Sequence, residues 1–242
     1  MGDNDAVNPV LAVRRAGVVC TLLAVSVVLS GCVSTVPGTA TRQSQGASPR
    51  DVPPLDEAKL DGVLLTIGEL NGIVGSTQME VTSELDEMTD HSADVSDPDC
   101  LGAVYGAEEP VYAGTNWTAV RDQVAREPDE DNDHWVEQTA VLYPTADNAR
   151  RFFDDSTTIW QDCANNAVGV GEGDYLWELD DVEVSDTMIT QMTTQEGADG
   201  WACQHALSPV SNLTVEAWAC GYSISDEAAE IATAMIDNAA AK

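Results

Sequence analysis

The sequence predicts an α+β domain: an antiparallel β-sheet flanked by helices and closed by two disulfides. Three observations predict it. Segments with period-two alternation follow one another through the middle of the chain, joined by polar turns. Helix-periodic segments stand at both ends of that run, an arrangement that favours an antiparallel sheet over a parallel one. Four cysteines remain for the domain once an export signal is set aside.

The first element is a leader. Arg14 and Arg15 precede an uncharged apolar run of about fourteen residues, followed by Ser30, Gly31 and Cys32, the layout of a secretory signal. The run is shorter than the roughly 20 residues that span a bilayer, which disfavours the rival reading as a transmembrane anchor. Leu29-Ser30-Gly31-Cys32 resembles the lipobox of bacterial lipoproteins. That resemblance implies cleavage before Cys32 and acylation of its sulfur and new amino group, and several acyl chains together give stable membrane anchoring. Residues 1–31 therefore read as a lipoprotein signal peptide. Residues 32–54 are rich in Ser, Thr, Gly, Pro and Gln and read as a lipid-anchored flexible tether. The globular part is 55–242.

Charge narrows the partners. The chain carries 42 acidic and 10 basic side chains, a formal charge of −32, with Lys59 and Lys242 as its two lysines. Removing 1–31 takes away two of each sign and leaves −32 unchanged. Such a surface is repelled by phosphate backbones and anionic headgroups, so no nucleic-acid partner is expected and membrane affinity must come from Cys32. A hydrophobic content of 43% is enough for a packed core.

Along the domain, Leu60, Val63, Leu64, Ile67, Leu70, Ile73 and Val74 recur at helical spacing, interrupted by Gly62, Gly68 and Gly72. Residues 79–82 suit a short strand, and the acidic, polar stretch 84–99 reads as a loop. Segments 118–127 and 135–143 alternate and face each other as a hairpin with its tip at 129–133. Residues 145–163 carry Ala149, Phe152, Phe153, Ser156, Ile159, Trp160 and Cys163 on a helical period, with Thr145 as N-cap after Pro144. Strands are predicted at 175–183, 187–194, 201–207 and 213–220, the last two joined by a turn over 208–212. Ser225 opens a final helix whose first turn holds Asp226 and Glu227, where carboxylates suit the helix dipole, and whose apolar stripe is Ile231, Ala232, Met235 and Ile236.

Cys20 lies inside the leader and Cys32 is the lipid acceptor, leaving Cys100, Cys163, Cys203 and Cys220. In an exported domain these suggest two disulfides, and none has the close spacing of a zinc site. Facing residues of an antiparallel hairpin have a constant sum of numbers. Pairing 203 with 220 centres the hairpin between Ser211 and Asn212, inside the predicted turn. That favours Cys203–Cys220 and leaves Cys100–Cys163 to tie a helix near Pro98 to the end of the helix at 145–163.

With these elements in place the residues resemble a family. Pro98-Asp99-Cys100, Val111-Tyr112-Ala113-Gly114-Thr115-Asn116-Trp117, His134-Trp135-Val136-Glu137-Gln138, Trp160-Gln161-Asp162-Cys163 and Gly200-Trp201-Ala202-Cys203 are similar to the PknH-like extracellular sensor domain of mycobacteria and their relatives. That domain ends a receptor serine/threonine kinase and also occurs in free-standing lipoproteins. The resemblance runs from about Leu64 to the C-terminus and implies two disulfides, a twisted antiparallel sheet flanked by helices, and a cleft that binds an unidentified ligand. Neither a kinase domain nor a transmembrane helix is expected in this chain.

Candidate chemistry is sparse. The three histidines are His91, His134 and His205, and no serine has a Gly-x-Ser-x-Gly setting. His205 reads as structural. Asp129, Asp131 and Asp133 mimic the start of a calcium loop, but His134 and Ala140 stand where its glycine and bidentate glutamate belong, so a solvated hairpin tip is preferred. The Gly169–Gly173 stretch reads as a turn, Arg150-Arg151 as a surface ion-pair site, and the Asn116 and Asn212 glycosylation triplets as unoccupied. No metal or cofactor is expected. Trp117 and Trp135, flanking polar segments, are the candidate cleft tryptophans, with Glu137 and Gln138 as its polar groups. The functional expectation is a lipid-anchored envelope protein that binds a small-molecule or envelope ligand without catalysis. The alternative is a protein-interaction module partnering an envelope or receptor protein; a hydrolase is the remote third.

Overall fold

The computed structural model of the chain describes residues 52–128, 132–171 and 175–242. The expected leader, Cys32 and nearly all of the tether lie outside the described residues. Val52 and Leu55 are buried in the main core, so the packed chain begins within what the sequence assigns to the tether. No helix among the described residues is long and apolar enough to cross a membrane.

The helical run near the start is two elements. A 3-10 helix at Glu57–Gly62 and helix α1 at Ile67–Val74 are separated where Thr66 caps α1. The Thr66 hydroxyl accepts from the Glu69 N–H at 3.4 Å while Glu69 Oε2 accepts from the Thr66 N–H at 2.8 Å, a capping box that stops the helix from extending backwards. Gly75, at φ 77°, ends it in the left-handed conformation. Near Pro98 a 3-10 turn, Pro98–Cys100, leads into a single turn of helix, α2 (Leu101–Val104), and α3 (Glu109–Tyr112) follows. Helix α4, Ala146–Cys163, starts at Thr145, whose Oγ1 accepts from the Asn148 N–H at 3.2 Å, and buries Ala149, Phe152, Phe153, Ser156, Trp160 and Cys163 along one face. Helix α5, Glu227–Ala240, begins two residues after Ser225, with Asp226 at its N-cap.

Among the described residues, nine strands form one antiparallel sheet: β1 (Glu80–Leu85), β2 (Ala119–Arg126), β3 (His134–Leu142), β4 (Ala167–Val170), β5 (Tyr175–Leu179), β6 (Glu183–Val184), β7 (Ile189–Gln195), β8 (Ala202–Val210) and β9 (Leu213–Gly221). Their spatial order is β1-β2-β3-β9-β8-β7-β5-β4, with β6 on β7. Four expectations change. The strand expected over 175–183 is two, β5 and the short β6, which pairs with β7. Strand β1 runs on to Leu85, into the expected loop. Ala167–Val170, whose last two residues fall in the Gly169–Gly173 stretch read as a turn, is strand β4, because it pairs with β5 from Ala167↔Glu178 to Val170↔Tyr175; four residues are too few to show a period. The turn expected over 208–212 shrinks to Ser211-Asn212, with Ser211 at φ 53°. Ser208–Val210 stay in β8, and Pro209 is tolerated because β7 pairs only as far as Leu207 and does not run alongside it.

Alternation divides the sheet into two faces. One carries Ala125, Val136, Ala140, Ala217 and Ala219 against α1 and α5, whose Ala228, Ala232 and Ala239 let helix and sheet approach closely. The other packs on α4 through Val120, Val141, Leu207 and Ile189. Both disulfides are present. Cys203 and Cys220 face each other across β8–β9 with Cα atoms 4.0 Å apart, and Cys100–Cys163 clips the 3-10 turn to the end of α4 across a Cα separation of 5.7 Å.

Candidate ligand-binding cavity

Helix α4 covers only part of its sheet face. The remainder is the floor of a cavity of about 590 Å³, well within the usual range for small-molecule sites. Strand register lays this face of the sheet in rows, and the cavity takes part of each. One row runs Val124–Glu137–Trp218–His205–Gln191 across β2, β3, β9, β8 and β7. The next runs Arg126–Trp135–Cys220–Cys203–Thr193, so a disulfide forms part of the wall. A third holds Asp122, Thr139 and Glu216. Trp177 and Trp201 pack with Trp135 and Trp218 around the Cys203–Cys220 bridge. The roof comes from Thr89, His91 and the turn between α2 and α3, at Val104–Tyr105–Gly106, together with Val170. Gly106 brings the roof down onto the floor: a Cβ there would lie 3.1 Å from Glu137 Oε1.

Carboxylates concentrate at one end. Glu216, almost fully buried, accepts from Tyr112 Oη at 2.9 Å and is bonded to His205 Nε2 at 2.6 Å. Burial pushes the His205 imidazole below its ordinary value, against the pull of Glu216. A neutral ring with its proton on Nε2 suits that bond. The ring is also sandwiched, with centroids 3.9 Å from Trp160 and 3.8 Å from Trp218. Glu108, in the roof, accepts from the His91 N–H at 2.6 Å and from Thr89 Oγ1 at 2.9 Å, and lies 2.6 Å from His91 Nδ1. His91 stacks on Tyr105 at 4.6 Å.

Asp122 and Glu137 differ from these. Asp122 accepts from Thr139 Oγ1, yet burial raises its carboxyl above the ordinary range. Glu137 is raised much further, first by desolvation and then by the charges of Asp122 and Glu216. The two are hydrogen-bonded to each other. Adjacent desolvated carboxylates cannot both be charged at low cost, so each disfavours the other's ionisation and the pair favours holding a proton. Two residues of the cavity wall, Thr193 and Trp218, each carry a buried polar atom with no protein partner, Oγ1 and Nε1.

Of the residues singled out from the sequence, Trp135 and Glu137 line this cavity. Gln138 does not: alternation turns it to the opposite face, where it accepts from the Leu65 N–H at 2.7 Å and donates to the Leu65 carbonyl at 2.9 Å. Trp117 precedes β2 and packs, half-buried, on the α4 side of the core. Asp122, Glu108, His91, Glu216 and Thr193 were not singled out. The available signal was a carboxylate at an apolar-face position, Asp122 between Val120 and Val124. Asp129 and Asp131 of the hairpin tip lie outside the described residues, and Asp133 is exposed. Among the described residues, no three His, Cys, Asp or Glu side chains are grouped to hold a metal ion.

A serine, a histidine and a carboxylate do converge away from the cavity. Ser76 Oγ donates to Glu127 Oε1 at 2.7 Å, and His134 Nδ1 lies 2.8 Å from the same oxygen. Both bond to the carboxylate rather than to each other, which is not the relay of a nucleophilic triad. Arg150 pairs with Asp154 at 2.9 Å, one turn on. Asn212 is buried with its amide fully engaged by Leu55 and Tyr143.

Residues 55–238 match the PknH-like extracellular domain family, and the chain belongs to it. Over 186 residues it is 41% identical to the serine/threonine-protein kinases PknH of Mycobacterium bovis and Mycobacterium tuberculosis, covering 76% of this chain and 31% and 30% of those proteins. The chain thus spans less than a third of the length of these kinases. The crystal structure of the extracellular domain of PknH from Mycobacterium tuberculosis superimposes with a TM-score of 0.76 at 40% identity, covering 78% of this chain and 99% of that one.

Proposed function

We propose that this member of the PknH-like extracellular domain family is a sensor-type module that binds a small ligand in the tryptophan-walled cavity, without catalysis, while acyl groups on Cys32 hold it at the outer face of the cell membrane. The observation that carries the reading is the cavity itself. It combines an apolar wall with a few converging polar groups, two of them buried and unpaired. Family membership supports an extracytoplasmic setting, and the lipobox supports the anchor.

The test is a thermal-shift screen of the purified chain against a broad set of envelope metabolites. A true ligand at 100 times its Kd stabilises by about 2.7 kcal/mol, and Trp135→Ala should abolish that gain. No stabilisation by any compound would count against the reading. A second reading, a protein-interaction module, is supported by Tyr175 and Val184, which are 59% and 51% exposed on β5 and β6. In-cell crosslinking that is lost on Tyr175→Ser and Val184→Ser would favour it.

A further inference from the structure

We infer that the cavity takes an organic cation: a protonated amine on an apolar body that also carries a hydrogen-bond acceptor, with the amine N–H groups donated to Asp122 and Glu137. This rests on the reading of the cavity as a ligand site and names the ligand's class.

Four arguments converge. Glu137 and Asp122 stand on the floor with no ion-pair partner among the described residues. The other buried carboxylates nearby are already engaged, Glu216 by His205 and Tyr112, and Glu108 by Thr89 and His91. Among the described residues the basic side chains facing the space are Arg126, exposed at its rim, and His91, bonded to Glu108. An anion would therefore meet uncompensated carboxylates, whereas an ammonium group turns the proton-holding pair into a charge-assisted site. Trp135, Trp177 and Trp201 offer the indole surface that suits both an apolar body and a neighbouring positive charge.

The second, independent indication is the pair of unpartnered buried groups. The indole N–H of Trp218, a cavity-wall residue, is a donor only and has no protein partner, so an acceptor on the ligand that reaches it would satisfy it. Trp218 faces Glu137 directly across β3–β9, which places that acceptor close to the amine. Thr193 Oγ1, in the disulfide row, takes either role. A quaternary ammonium has no N–H to give to the two carboxyls, so a primary or secondary amine fits better.

Binding of a charged amine drives the Asp122–Glu137 pair to ionise, and the proton it holds leaves for solvent. Affinity therefore rises with pH until the amine itself loses its proton. Glu216, Glu108, His91 and Arg126 also face the pair and set where that rise falls.

The test is calorimetry on the full chain with a matched series: 2-phenylethylamine, 2-phenylethanol and 3-phenylpropanoate. The amine should bind at least about tenfold more tightly than the alcohol, a difference of about 1.4 kcal/mol. It should release protons, seen as a buffer-dependent heat. Glu137→Gln and Asp122→Asn should each reduce the amine to the affinity of the alcohol. If Glu137→Gln does not fold, Asp122→Asn and the wild-type comparison carry the test. An alcohol or carboxylate that binds as well as the amine overturns the cationic class while leaving the cavity a ligand site. No binding by all three, with unchanged tryptophan fluorescence, overturns both.

Discussion

His205 and Glu216 lie on neighbouring central strands, and Nε2 of the first is 2.6 Å from Oε1 of the second, with both side chains sealed from water. The imidazole is clamped between Trp160 and Trp218, so one polar bond joins helix α4, the sheet and the cavity wall. His205→Ala leaves a gap between two indoles and removes a donor from a buried carboxylate. We expect a loss of about 3 kcal/mol, the scale for truncating a buried hydrogen-bonded group in a packed core. Urea unfolding checks it; a loss under about 0.5 kcal/mol would show that the clamp is not structural.

Two groups give opposite pH dependences. The His205 value is lowered by burial, so its contribution is fully present above the unfolded value near 6.5 and is lost as pH falls below it, when the unfolded chain takes up a proton. Asp122 and Glu137 are raised, so the folded state holds a proton that the unfolded state has released. Their contribution falls as pH rises above the ordinary carboxylate range of about 4. Glu137→Gln should flatten that fall and leave the acid-side loss from His205 in place. Urea midpoints measured across pH 4 to 8 in both proteins decide it.

The two disulfides should differ in weight. Cys100 and Cys163 are separated by 63 positions in the sequence and Cys203 and Cys220 by 17, which gives roughly 4 and 3 kcal/mol in the loop-entropy account. Alanine pairs at each bridge, compared by thermal melts, should rank in that order. Loss of the shorter bridge should in addition shift tryptophan emission, since Trp135, Trp177 and Trp201 pack on it.

Neighbouring residues on β3 should separate stability from binding. Gln138→Ala removes three hydrogen bonds, to Leu65 N–H, the Leu65 carbonyl and Gln123, and should cost about 2 to 4 kcal/mol at roughly 1 kcal/mol per bond plus the unpaired groups left behind. It should leave amine affinity unchanged. Glu137→Gln should weaken amine binding, and should alter stability only through the pH dependence given above. Paired melts and titrations of the two variants read this directly.

Cys32→Ala should move the chain from the membrane fraction to the soluble envelope fraction, because an acidic surface offers no substitute for acyl chains. Retention on membranes would point to another anchor. Fractionation of cells expressing each form provides the measurement.

What the sequence by itself determined is local. The period-two runs mark most strands, Thr145 and the apolar stripe mark α4, and the short connection between Cys203 and Cys220 is enough to align β8 on β9. These are contacts between residues close in the chain, where spacing alone restricts geometry. Spacing also shows that Glu137 and Gln138 point to opposite faces. It does not show which face is covered, because that depends on α1 and α5 packing on one side of the sheet and on α4 covering only part of the other. The tertiary structure decided that β3 lies beside β9, although some 70 residues separate them, and so it brought Glu137 opposite Trp218, whereas Asp122 comes within reach of Glu137 across the local β2–β3 hairpin. Trp117 stayed outside the cavity for the same reason: its place depends on where strand β2 lies, not on its polar neighbours. Long-range pairing costs loop entropy that only the assembled core repays, and nothing in a local window records it.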